Sequence, residues 1–104
     1  MDYTQSNADG HINIIMNGQF TFSDHEKFRK IIETIKAGGV KSLILDFKDV
    51  DFIDSAALGM LLVAREEGQN SSLSIVLQNT DRIEKMLKVA KFDTLFSINS
   101  SSAD

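Results

Sequence analysis

The hydrophobic pattern of the chain changes period several times, and each change marks an element. Tyr3 to Ala8 and His11 to Met16 flank Asp9-Gly10, a dipeptide suited to a two-residue hairpin turn because both central positions take positive φ, so a pair of strands is expected there. Ser23 with Glu26 three positions later has the form of a capping box. Phe28, Ile31, Ile32 and Ile35 then recur at helical spacing up to Gly38-Gly39, which predicts a first helix. Ser42 to Phe47 is a short apolar run without helical period and reads as a central strand, followed by an acidic loop from Lys48 to Asp54. A second helix is predicted from about Ser55 to Glu67, with Leu58, Leu61 and Leu62 on one face and Gly68 as its stop. Ser72 to Leu77 is a further strand. Thr80 is placed to cap a third helix carrying Ile83, Met86, Leu87 and Ala90 on one face, and a last short strand is expected over Leu95 to Ile98.

Strands that alternate with helices need crossover connections and therefore pair in parallel, while the hairpin adds one antiparallel edge. The expected fold is α/β: a mixed, mainly parallel sheet of about five strands with three helices packed mainly on one face. Residues 1–99 read as a single domain, and 100–104, small and polar, as a flexible tail. No internal repeat or interdomain linker is visible.

Composition narrows the function. At 104 residues and 42% hydrophobic content, the chain suits one core and is too short for two. The net charge of −4, without a Lys/Arg run, argues against nucleic-acid binding and leaves a protein partner or a small ligand. Without cysteine there is no disulfide, thiolate chemistry or Cys-based metal site. The longest uncharged apolar run, Ala56 to Ala64, falls far short of the ~20 residues of a membrane span, and the first residues lack a basic start and an apolar stretch. A cytoplasmic protein with no membrane association is expected. His11 and His25 have no second ligand type at metal spacing, so neither metal nor cofactor is expected. Phe52-Ile53-Asp54-Ser55-Ala56 lacks the glycines of a serine-nucleophile elbow, and Gly38-Gly39 ends a helix where a phosphate loop would begin one. Enzymatic activity is therefore not expected.

Ser55 is the residue that needs explaining. A hydroxyl at a helix start serves as an ordinary cap together with Asp54, yet the same unpaired N–H groups favour an added phosphate. Asp46, Asp49, Asp51 and Asp54 crowd the approach to that hydroxyl, more carboxylates than capping requires, although acids in such loops commonly provide turn chemistry and solubility. Phosphate would bring roughly −1.5 to −2 charges to that neighbourhood. Met60 and Val63 lie off the Leu58-Leu61-Leu62 face, which leaves room for an exposed apolar strip beside Ser55. Phe20 and Phe22, just before the first helix, favour core packing, with an interface role left open. Three rivals remain open. One is a receiver-like domain phosphorylated on Asp46, for which an early acidic pair and a late strand-end lysine are missing; another is a module that binds a small anion or lipid; the third is a hydrolase using Ser55, against which the missing glycines speak.

These residues resemble the STAS domain, the module shared by anti-sigma factor antagonists and the cytoplasmic tails of anion transporters. The likeness covers nearly the whole chain. It is strongest at Asp54-Ser55-Ala56-Ala57-Leu58-Gly59, preceded by Leu45-Asp46-Phe47 and Val50-Asp51-Phe52-Ile53, with Gly18-Gln19-Phe20 similar to the family's glycine motif at the end of the second strand. The family's second Ser/Thr and its glycine are Ala56 and Ala57 here, and the acid common after the glycine motif is Thr21. The resemblance implies an anti-sigma factor antagonist-like regulator without enzymatic activity. It implies Ser55 as phosphoacceptor, and Asp54, Ser55, Ala56, Met60, Phe22 and Asp24 as the partner-binding set. It further implies an anti-sigma factor or serine kinase as the bound partner and a serine phosphatase that restores the unmodified form. It fixes neither the oligomeric state nor the pathway.

Overall fold

The structure, a computed structural model, describes residues 1–99. The expected tail over 100–104 lies outside them. Strands β1 (Asp2–Ala8) and β2 (His11–Phe20) form the predicted hairpin, in unbroken antiparallel register from Asp2 opposite Asn17 to Ala8 opposite His11. Asp9 and Gly10 both take positive φ, 54° and 88°, as a hairpin turn matched to strand twist requires. Gly10 is also confined by its neighbours: a Cβ there would lie 2.6 Å from the Gly39 carbonyl oxygen.

A short 3-10 turn, Phe22–Asp24, leads into α1 (His25–Lys36). Strand β3 (Ser42–Ile53) and helix α2 (Ser55–Asn70) follow, then β4 (Ser74–Gln78), α3 (Glu84–Val89) and β5 (Ser97–Asn99). The sheet order is β1-β2-β3-β4-β5, and every pair but the hairpin is parallel. This is the expected mixed sheet. One sheet face is sealed by Ile12, Ile14 and Met16 of β2, by Leu43, Leu45 and Phe47 of β3, and by Leu77 of β4. The residues between them are half-buried or exposed, so burial alternates with the period of two that places the helices on one side. Phe20 completes that core, its ring 5.2 Å from Phe28 of α1.

The structure moves several predicted boundaries. The acidic stretch after Phe47 is not a loop: β3 continues to Ile53, because Val50 and Ile53 are buried and keep the segment paired with β2. Its register with β2 slips between Ile15 and Asn17 and again between Gly18 and Gln19; such bulges absorb the extra residues of β3. The capping box is formed by Thr21 and Asp24 rather than Ser23 and Glu26, since the chain begins to coil in the 3-10 turn. The Asp24 carboxylate accepts the Thr21 N–H at 2.9 Å, and Glu26 pairs instead with Arg29 at 2.7 Å.

Helix α2 runs on through Gly68, which is buried inside it. A Cβ at Gly68 would come 2.8 Å from Ile75 Cδ1, so this glycine sets the close approach of α2 to β4. Strand β4 starts two residues later than predicted, and Ser72 takes a positive φ of 56° in the preceding turn. Thr80 does not cap with its side chain: it is fully buried with Oγ1 unpartnered, and only its carbonyl oxygen accepts the Ile83 N–H, at 3.1 Å. The last strand is shifted to Ser97–Asn99 because a 3-10 turn occupies Phe92–Thr94.

Candidate functional site

Ser55 is the first residue of α2 and is exposed. Capping falls to Asp54 alone. Its Oδ1 accepts the Ala57 N–H at 2.8 Å, and its Oδ2 accepts the Phe22 N–H at 3.1 Å. One carboxylate therefore ties the helix start to the turn between β2 and α1. The Asp54 N–H donates to the Phe20 carbonyl oxygen at 3.3 Å, and the Asp54 carbonyl accepts the Leu58 N–H at 3.1 Å. Among the described residues the Ser55 hydroxyl makes no hydrogen bond, and neither do the N–H groups of Ser55 and Ala56. Two unpaired N–H donors at the positive end of the helix dipole favour negative charge near the helix start.

The turn that Asp54 holds presents Phe22, 65% exposed and stacked on His25 with ring centroids 5.2 Å apart. Asp24 sits beneath it and is only 4% exposed. Its Oδ1 accepts from the Met1 ammonium at 2.7 Å while its Oδ2 holds Thr21. Burial raises the Asp24 pKa, but the ammonium's hydrogen bond, the Thr21 N–H and the charges of Met1 and Lys27 outweigh it, and the net shift is downward. Asp24 is thus shielded and acts on the loop it fastens, whereas Phe22 stands at the surface.

Along α2 the buried positions are Ala57, Leu61, Ala64 and Gly68. The predicted face was wrong in part: Leu58 is half-buried, and Leu62 lies outside it with Val63, 42% and 49% exposed. The inner face mixes Leu61 with the small residues Ala57, Ala64 and Gly68, and at Gly68 the approach of Ile75 leaves no room for a side chain. Met60 and Ala56 are half-buried flankers. Ser55, Gly59, Leu62 and Glu66 form the outermost stripe, four positions at helical spacing and all exposed.

Helix α3 contributes what the sequence reading missed. Between its outer face and the start of α2 runs a groove of about 330 Å³ lined by Ile53, Asp54, Ser55, Leu58, Lys85 and Met86, with Val89 on its rim. Val89 is 85% exposed. It falls off the face shared by Ile83, Met86, Leu87 and Ala90, the one signal in the sequence that could have marked it.

The other acids are placed differently. Asp46 is half-buried, and its Oδ1 accepts from the Lys48 N–H at 2.9 Å and from Asn79 Nδ2 at 3.0 Å, stitching β3 to the end of β4. Asp49 and Asp51 are exposed on the bulged strand. Among the described residues no three His, Cys, Asp or Glu side chains gather as a metal site, and no helix is long and apolar enough to cross a membrane. His11 Nδ1 lies 2.7 Å from Ser42 Oγ, away from Ser55, between the starts of β2 and β3.

The STAS domain family model matches residues 5–104. This chain belongs to the STAS domain family. A STAS-domain containing protein of Pseudomonas aeruginosa is 33% identical over 94 residues, covering 88% of this chain and 92% of that protein. Among solved structures, a Thermotoga maritima protein described as a candidate anti-sigma factor antagonist superposes with a TM-score of 0.84 at 18% identity, over 96% of this chain and 87% of its own. The anti-sigma factor antagonist SpoIIAA in its unphosphorylated form gives a TM-score of 0.77 at 22% identity, over 98% of this chain and 90% of its own. SpoIIAA of Bacillus is also known in a phosphorylated form, which superposes with a TM-score of 0.74 at 19% identity, over 96% of this chain and 93% of that one. At these identities the superpositions establish the STAS fold.

Proposed function

We propose that this STAS domain is a phosphorylation-switched binding protein of the anti-sigma factor antagonist kind, without catalytic activity of its own. With Ser55 unmodified it docks a regulatory protein, an anti-sigma factor or serine kinase; with Ser55 phosphorylated it lets go, and a serine phosphatase resets it. The observation that carries this reading is the division of labour at the start of α2. Asp54 does the capping, so the Ser55 hydroxyl is left exposed and unbonded. The phosphorylated and unphosphorylated forms of SpoIIAA support the same reading by analogy.

Modification would transfer a phosphoryl group from a nucleoside triphosphate held by the partner kinase to Ser55 Oγ. The hydroxyl proton passes to a base of the kinase, and the nucleoside diphosphate leaves. The docking face comprises Ser55, Ala56, Met60 and Phe22, set in place by Asp54 and Asp24, and continues along α2 over the exposed Leu62 and Val63. A dianion on Ser55 about 8 Å from one partner carboxylate, at an effective dielectric near 20, is repelled by roughly 4 kcal/mol, or about three orders of magnitude in affinity. Release then needs no refolding of the domain. The protein acts in the cytoplasm, where such kinases and their triphosphate are found, and needs neither metal nor cofactor.

The test is capture of partners on Ser55→Ala, Ser55→Glu and enzymatically phosphorylated protein, read by mass spectrometry. A partner held by the alanine form and lost from the phosphorylated form is the expected result. Equal recovery on all three would refute the switch.

A further inference from the structure

We propose that a phosphate on Ser55 is paired with Lys85 across the groove between α2 and α3. This rests on Ser55 being the phosphoacceptor and names the residue of this chain that receives the new charge. Ser55 and Lys85 line opposite sides of the same groove, whose floor is apolar: Ile53, Leu58 and Met86. Lys85 is the one cation in that lining, is exposed, and has no ion pair among the described residues, whereas its neighbour Lys88 is tied to Glu84 at 2.9 Å. Asp54 is the other charged group of the lining, and both its oxygens are engaged by backbone N–H groups. The turn before α1 carries Asp24, buried and paired with the Met1 ammonium, and α1 opens with His25, stacked on Phe22. On its own side Lys85 shares a second pocket with Asp81 and Glu84, of which Glu84 is held by Lys88. Within the groove that holds Ser55, no carboxylate with a free oxygen faces the Lys85 ammonium until the phosphate arrives.

A lysine stem lies readily along an apolar wall while its charge reaches for an anion. Drawn toward Ser55, the Lys85 side chain spans the groove and covers Leu58 and Met86. Phosphorylation then does two things at once: it repels an anionic visitor and roofs over the apolar pocket beside the hydroxyl.

Phosphoserine installed at position 55 during synthesis allows the pairing to be read by 31P NMR titration without any kinase. In otherwise unchanged protein the second ionisation of the phosphate is expected about threefold stronger than in Lys85→Gln, the size of a partly exposed ion pair. Lys85→Arg should restore it, and Lys88→Gln should leave it unmoved. Equal midpoints in the unchanged and Lys85→Gln proteins would overturn the pairing, as would an equal shift from Lys88→Gln. If protein recovered from cells never carries phosphate on Ser55, the proposed switch fails while the titration still decides the pairing.

Discussion

Helices α1 and α2 pack against the same sheet and handle their apolar residues in opposite ways. Helix α1 buries Phe28, Ile31 and Ile35 and turns Lys27, Arg29, Lys30, Glu33 and Lys36 to water, the one-sided stripe of a helix that serves the core. Helix α2 buries Ala57, Leu61, Ala64 and Gly68 and leaves Leu62 and Val63 outside. A helix that buries one apolar face and still carries Leu62 and Val63 on its other side has apolar surface to spare for a second contact. The exposed stripe begins at Ser55, so the outward apolar surface and the proposed phosphoacceptor hydroxyl belong to one face.

Substitutions should separate the two helices. The largest effect is expected from Phe28→Ala, which removes a fully buried ring and should lower unfolding free energy by about 3–5 kcal/mol in denaturant titration, with partner affinity of the folded fraction unchanged. Asp24→Asn, beneath the turn that opens α1, should cost about 2 kcal/mol, because it leaves the buried ammonium without its counter-charge. The pH profile carries the same information. Since folding lowers the Asp24 pKa below its ordinary value of 3.8, its contribution is fully present above that value and is lost as pH falls through the lower folded one. Asp24→Asn should flatten that acid limb, and a limb of unchanged steepness would show that Asp24 does not set it.

On α2 the balance should reverse. Leu62→Ser with Val63→Ser is expected to weaken partner binding at least tenfold, about 1.4 kcal/mol by calorimetry, while stability changes by only about 0.5 kcal/mol. Equal losses in stability and binding would mean that this face is core after all. The smallest effect is assigned to Gly59→Ala. Nothing lies within 4 Å of the added Cβ, so helix propensity should raise stability by about 0.5–1 kcal/mol. Any loss of partner binding by that variant would place the visitor directly over the second turn of α2.

How much of this was legible in the sequence follows from the same contrast. The hairpin was readable because Asp9-Gly10 dictates one turn geometry, and α1 because its apolar period matches its burial. The acidic end of β3 was hidden because Asp49 and Asp51 look like loop residues, while the pairing that keeps them in a strand comes from the bulged register with β2. Gly68 looked like a stop because glycine weakens helices; only the nearness of Ile75 reveals that the missing side chain makes room for β4. Leu62 was misassigned since hydrophobicity alone does not say which apolar face a helix turns inward. Ser55 and Asp54 were visible as a pair, but their separate duties emerged only from the hydrogen bonds of Asp54. Lys85 and Val89 stayed hidden because the groove they help to form joins segments thirty residues apart in sequence.

Since a single carboxylate, that of Asp54, fastens the Phe22 turn to the beginning of α2, the surface around the hydroxyl is already assembled in the unbound chain, as the proposed docking would need. Little of the binding energy is then needed to order the chain. Encounter rates should accordingly differ little between visitors, and selectivity should be written in residence times, from which a newly added charge would subtract most.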